Sequence, residues 1–338
     1  MYDQLFDGVG GQPESGRGPE PDFVTWLLYL DCGDDRARFG PLARWWYEEA
    51  CRLLVPFVHP AGATEPAVSL TAFEQDATGR GRRRRPGRWA EGLTPDCRQL
   101  SARWFEPAPN SVASELDVFL DRFAGPEQVR LQISIGFEDR PGRLSLVLPA
   151  LLELARLVGD ATDPAYGEIV VNATSLAPAT ILDAALGRSA AVSARESRGH
   201  LRGYEWVTVC PKELAARLGG PDRLRASGAF AEVLPLRHGG LVLRATDHPA
   251  GYGADRVRSA FRALAPVLPP GRPGLPPTVP PQGAQGRAML SAVPGVLAGD
   301  PGGPDLSRIV FADPADAGSW LEVGPGDAPR TPTGPSLG

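Results

Sequence analysis

Cys210 has the strongest chemical context of any side chain in the sequence. It follows the apolar run Tyr204–Val209 and precedes Pro211, which opens the helix-forming stretch Lys212–Leu218. A cysteine at a helix N-terminus feels partial positive charge that favours the thiolate, but a nucleophile also needs a base. His200, His238 and His248 are the nearest histidines in sequence, and no local signature ties any of them to Cys210. A cysteine hydrolase is therefore an alternative reading only, and no catalytic residue is assigned. The four cysteines and four histidines form no CxxC, HxH or HExxH pattern, so neither a metal nor a cofactor is expected. Gly8, Gly10 and Gly11 follow no strand, and no Walker sequence, nucleophile elbow or dinucleotide fingerprint occurs.

Charge is concentrated in a few places. Arg82-Arg83-Arg84-Arg85, between Gly81 and Pro86, reads as a solvated loop, with a grip on phosphates or an acidic protein as the alternative. Asp34-Asp35, Glu48-Glu49 and Glu138-Asp139 read as turn residues or solvated helix faces. Trp45, Trp46 and Tyr47 are about 100° apart around one helix, so they cannot all face the core. With Trp46 on the apolar stripe, Trp45 or Tyr47 lies at its margin, where an aromatic residue can anchor a protein partner.

The elements that must position these residues follow from periodicity. Phe23–Asp31 is apolar on both faces, as in a central strand. Pro41–Phe57 carries a helical stripe of Leu42, Trp46, Ala50, Leu53 and Phe57. His59–Trp104 reads as rich in loops. Val129–Phe137 alternates, with Val129, Leu131, Ile133, Ile135 and Phe137 inward, and Arg130, Gln132, Ser134 and Gly136 on a half-exposed outer face. A helix over Arg143–Val158 precedes a strand over Gly167–Ala173. Tyr204–Cys210 is a strand, followed by the short helix that Gly219-Gly220 stops. Leu234–Leu236 and Leu241–Thr246 form a hairpin turned by His238-Gly239-Gly240, and Asp255–Leu268 is a helix. Strands and helices without strict alternation predict an α+β fold: a mainly antiparallel sheet with helices packed on one face.

Composition bounds the rest. With 338 residues, 42% of them hydrophobic, the chain can bury a large core. A net charge of −5 argues against a nucleic-acid partner. Lys212 is the only lysine among abundant arginine, alanine, glycine and proline, the bias of a GC-rich, actinobacterial genome. No run of about 18 apolar residues occurs, and Met1–Pro21 lacks the pattern of a signal peptide, so a cytoplasmic protein without membrane contact is expected. The expected organisation is a flexible leader over 1–21, one α+β domain over 22–268 and a mostly disordered Pro/Gly-rich tail over 269–338. Within that tail Ser307–Ala312 could add a strand and Trp320 could dock, and an adaptor role through the tail is a third function class.

Trp206-Val207-Thr208 followed by a short helix closing on Leu218-Gly219-Gly220 resembles the bacterial type VI secretion immunity family, first catalogued as a domain of unknown function. The hairpin at Leu234–Thr246 and the helix ending in Leu264-Ala265-Pro266 match that family's order. Upstream, the strand and helix over Phe23–Phe57, the Trp-containing Arg88–Leu93 and Tyr166-Gly167 agree more loosely. Cys210-Pro211 stands where the family has a Gly-Asp-like turn, and Gly79–Pro86 and the tail look added. A second polymorphic-toxin immunity family, with its own Trp-Val-Thr strand, is similar in pattern. The resemblance implies a non-catalytic protein that binds a cognate toxin, often a nuclease, and occludes its active site. Nuclease toxins present basic surfaces, so Asp34, Asp35, Glu48 and Glu49 become the candidate toxin-binding carboxylates, with Trp45 as the apolar anchor.

Overall fold

Strand β1 (Phe23–Asp31) lies between two antiparallel neighbours, and both of its faces are buried from Val24 to Leu30, as its nearly continuous apolar run requires. The computed structural model describes residues 23–31, 36–60, 68–76, 78–105, 107, 110–122, 128–137, 142–171, 180, 182–183, 186, 188–269, 310–311 and 321–322. The chain forms an α+β fold whose contacts cluster in two compact units. Among the described residues, one unit holds 23–171 with Leu236–Gly240, and the other holds 180–235 and those from Leu241 onward.

The unit around β1 is built on a large antiparallel sheet. Its further strands are β2 (Val68–Gln75), β3 (Gly81–Arg84), β4 (Cys97–Trp104), β5 (Glu115–Asp121), β6 (Gln128–Gly136) and β7 (Tyr166–Val171). They run in the order β3-β2-β4-β5-β6-β1-β7. Helices α1 (Arg36–Val58) and α3 (Leu144–Ala161) pack on each other, α1 against β5 and α3 against β1. A one-turn helix, α2 (Trp89–Gly92), lies against β4 and β2.

Two expectations change here. The region His59–Trp104 is largely structured, holding β2, β3, α2 and β4, and the arginine run forms edge strand β3 where a loop was expected. Strands β2 and β4 do alternate, burying Leu70 and Ala72 and then Leu100, Ala102 and Trp104, whereas the short polar β3 is held by cross-strand pairing and not by an apolar stripe. The outer face of β6 is buried where a half-exposed face was expected: Arg130 is 2% exposed and Gln132 is 4%. The polar character of this strand marks a paired interior face.

Helix α1 begins earlier than Pro41, and its buried line is Phe39, Ala43, Trp46, Ala50, Leu54 and Val58. Leu42, Leu53 and Phe57, expected in the stripe, are only half-buried, so the helix is rotated about one residue from the anticipated face. Backbone N–H groups of Val112 and Ala113 both donate to the Phe57 carbonyl, satisfying an acceptor at the helix end.

In the other unit, α4 (Ala190–Arg195) precedes β8 (Val207–Cys210), α5 (Lys212–Arg217), α6 (Gly220–Ala226), β9 (Glu232–Pro235), β10 (Leu241–Arg244) and α7 (Ala254–Leu264). Strand β10 pairs antiparallel with both β8 and β9. Pro211 is the N-cap of α5, and Gly219 has φ 84°, the left-handed stop that the sequence signalled. Gly220 opens a second helix, α6, that the glycine pair had concealed. Trp206 is fully buried, and its Nε1 donates to the Thr246 carbonyl at 2.9 Å, tying β8 to the strand end beyond β10. Tyr204 meets Phe261 of α7 edge to face at 5.5 Å.

Of the tail, Val310–Phe311 (β11) pairs antiparallel with Leu321–Glu322 (β12), so the patch expected over Ser307–Ala312 does contribute a strand; Trp320 lies outside the described residues. Among the described residues no helix is long and apolar enough to cross a membrane.

Candidate functional site

Three of the expected toxin-binding residues share one face of α1. Trp45, Glu48 and Glu49 are spaced i, i+3 and i+4, which stacks them on one ridge. Trp46, about 100° round the helix from Trp45, is fully buried and holds the helix. Trp45 is half-buried, Glu48 exposed and Glu49 half-buried. Glu49 accepts from Arg52 Nε at 2.9 Å, one turn further along. Arg52 also acts electrostatically on Glu153 of α3, whose carboxyl is held below its ordinary value chiefly by hydrogen bonds from Arg156. Arg156 in turn reaches Asp160 at 3.2 Å. The ridge therefore presents one carboxylate, Glu48, that makes no ion pair among the described residues, beside an aromatic ring and a mixed-charge lattice. Asp34, Asp35, Glu138 and Asp139 lie outside the described residues.

Tyr47 points the other way around the helix. Its ring stacks on Trp89 at 4.3 Å and lies 6.2 Å from Trp104, so α2 forms the cover over this side of α1. Of the aromatic triplet, Trp46 is buried, while Trp45 and Tyr47 are half-buried, Tyr47 beneath the Trp89 ring.

Two polar clusters escaped the sequence reading. The first lies on the second face of the sheet. Arg130 NH2 donates to Asp121 Oδ2 at 3.0 Å across the β5–β6 ladder, and Arg130 lies over the Phe119 ring at 5.4 Å. Burial raises the Asp121 carboxyl above its ordinary value, with Arg130 pulling the other way. On the same face Gln132 Nε2 donates to Ser134 Oγ at 3.2 Å, and Tyr166 donates to Glu168 at 2.6 Å. Asp117 is pushed up to about 6, first by burial. The only sequence signal was the recurrence of polar residues at every second position of β6.

The second cluster lies in the other unit. Thr180 N–H donates to Asp183 Oδ2 at 3.3 Å, and Asp183 N–H donates to Thr180 Oγ1 at 3.1 Å, a reciprocal capping box. Arg202 reaches Asp183 Oδ2 through NH2 at 2.9 Å and Ser193 Oγ through Nε at 3.1 Å. The Thr-x-x-Asp spacing was readable; its partner nineteen residues on was not.

Cys210 is fully buried between strand and helix, its Sγ 3.7 Å from the Pro211 carbonyl. Burial pushes its thiol far above the ordinary range, with Glu213 adding to the rise. The helix-start effect is overridden because desolvation of a thiolate outweighs half a unit of partial charge. No hydrogen bond joins Cys210 to a histidine among the described residues. His248 instead accepts the Ala250 N–H through Nδ1 at 3.3 Å, capping a turn of 3-10 helix. Among the described residues no group of three or more His, Cys, Asp or Glu is placed to hold a metal.

No protein-family model matches the chain, and no curated protein matches it. Among solved structures, it is similar to a T6SS protein of Pseudomonas aeruginosa at 18% identity and a TM-score of 0.46, over 74% of this chain and 76% of that one.

Proposed function

We propose that this chain is a cytoplasmic, non-catalytic binding protein that neutralises a cognate bacterial toxin by covering its active site. The supporting observation is the α1 ridge. An aromatic side chain and an exposed carboxylate share one turn of a long helix that is locked by Trp46 and by the Tyr47–Trp89 stack. Such a ridge needs no reorganisation on binding, which lowers the entropy cost of forming a complex. A carboxylate beside an aromatic anchor suits a basic, nuclease-like surface. The segment that carries the family resemblance is consistent with this role, because Trp206, Leu218 and Gly219 serve core and cap. The sealed thiol of Cys210 gives the hydrolase alternative no support.

Co-expression with the neighbouring gene tests the proposal. Growth rescue together with a stoichiometric complex is the expected result, and Trp45→Ala should weaken that complex by about 30-fold, the effect of removing an interface anchor. A harmless neighbour that does not bind, or a complex indifferent to both Trp45→Ala and Glu48→Lys, would falsify this assignment.

A further inference from the structure

Strand β3 ends the sheet, and on its far side no strand pairs with it among the described residues. The Asp76 N–H donates to the Arg80 carbonyl at 3.1 Å, which sets the phase of the β2–β3 ladder. Alternation then makes Glu74/Arg82 and Ala72/Arg84 the hydrogen-bonded pairs. The N–H and C=O groups of Gly81 and Arg83 consequently face outward, away from β2.

The arginines of this edge divide into two sets. Arg82 and Arg84 fold onto Glu74, with NH2–oxygen distances of 2.7 and 3.0 Å, and Thr94 Oγ1 donates to the same carboxylate at 2.9 Å. Glu74 is buried, so its charge is spent on that pair. Arg80, Arg83, Arg85 and Arg88 are exposed and make no ion pair among the described residues. Phe73, opposite Arg83 in register, is an exposed ring lying against Gly81. A Cβ at Gly81 would come within 2.5 Å of Phe73 Cζ, so glycine is what lets the ring lie flat beside the edge.

We propose that the β3 edge accepts an extended acidic segment of a partner protein as an added strand. Outward groups of Gly81 and Arg83 supply the ladder, and the exposed Arg83 meets carboxylates at the alternate positions of the added strand that share its face. A second copy of this chain is the wrong occupant, because edge-to-edge pairing would set arginines against arginines. The acidity of the chain as a whole makes the patch local: it recognises a short acidic strand within an otherwise repelling field. The charge sign is opposite to that of the α1 ridge, so this inference stands apart from the toxin-neutralising reading.

The test is fluorescence anisotropy on the full chain with a labelled peptide of alternating glutamate and valine. A backbone N-methylated copy of that peptide and a labelled DNA duplex serve as comparisons. The glutamate–valine peptide should bind, and Arg83→Gln should weaken it about threefold, the size of one exposed ion pair. Arg83→Pro removes the outward N–H without touching the β2 ladder, so it should weaken binding by about tenfold or more with circular dichroism unchanged. Should Arg83→Pro unfold the chain, the N-methylated peptide supplies the same comparison, and its failure to bind is the supporting result. The proposal is overturned if the peptide does not bind, if the N-methylated copy binds as well, or if the duplex binds more tightly.

Discussion

Arg202 and Asp183 form an ion pair in which neither side chain has any exposure to solvent, with NH2 and Oδ2 2.9 Å apart. Both charges are compensated locally: Asp183 also accepts from Thr180 N–H, and Arg202 also donates to Ser193. The pair joins three stretches of chain that share no apolar stripe, the Thr180–Asp183 cap, helix α4 and the segment leading to β8.

Removing one partner should therefore be far worse than removing both. Asp183→Ala strands the buried Arg202 charge and should cost about 3–5 kcal/mol, whereas Arg202→Ala should cost less, because Arg188 NH1 lies 3.7 Å from Asp183 Oδ1. The double substitution Asp183→Leu with Arg202→Met should recover most of that loss, because no charge is left stranded. Urea unfolding of the variants measures this directly. Single variants within about 0.5 kcal/mol of the parent would mean that water reaches the pair.

Asp117 should make the protein less stable as pH rises through the mildly acidic range. Burial is the main cause that lifts its carboxyl to about 6 from 3.8; Arg103, 3.6 Å away, opposes the rise, and Glu115 adds to it. The folded state thus holds this proton more tightly than the unfolded chain. The resulting stability is fully present below pH 3.8 and is lost as pH climbs through about 6. Asp117→Asn should abolish that dependence, stabilising the fold at pH 7 relative to the parent and changing little near pH 4. Its side chain is 35% exposed, so solvent screening reduces the gain to on the order of 1 kcal/mol. Thermal melts of both proteins across this range would expose the wrong sign at once if the curves diverged at low pH instead.

Cys97 and Cys210 should resist alkylation until the chain unfolds. Burial pushes the Cys97 thiol up to about 11 and Cys210 higher still, and neither side chain is exposed. At pH 8 the thiolate fraction of Cys97 is then about a hundredfold below that of a free cysteine. Peptide mass spectrometry after iodoacetamide treatment should show both residues unmodified in native buffer and fully modified in urea. Rapid native labelling of Cys210 would reopen the nucleophile reading.

The sequence by itself determined what depends on neighbours along the chain. Phe23–Asp31 is a central strand because its middle is apolar on both faces apart from Thr25, and Gly219 stops α5 because glycine tolerates a positive φ. The turn at His238-Gly239 is equally local, with Gly239 at φ 91°. Trp45, Glu48 and Glu49 fall on one face of α1 by helical spacing alone, which the structure reproduces. Tertiary structure decided everything that needed a partner distant in sequence. Arg130 looked solvent-facing because alternation reports only that two faces differ; Asp121 on the next strand supplies the counter-charge that lets Arg130 be buried there. The arginine run became a strand because β2 offers a ladder and Glu74 a counter-charge. Cys210 looked activated by its helix, yet the packing that buries it removes the solvation its thiolate needs. Local pattern fixes conformation, whereas burial and charge pairing depend on long-range contacts that no short window of sequence contains.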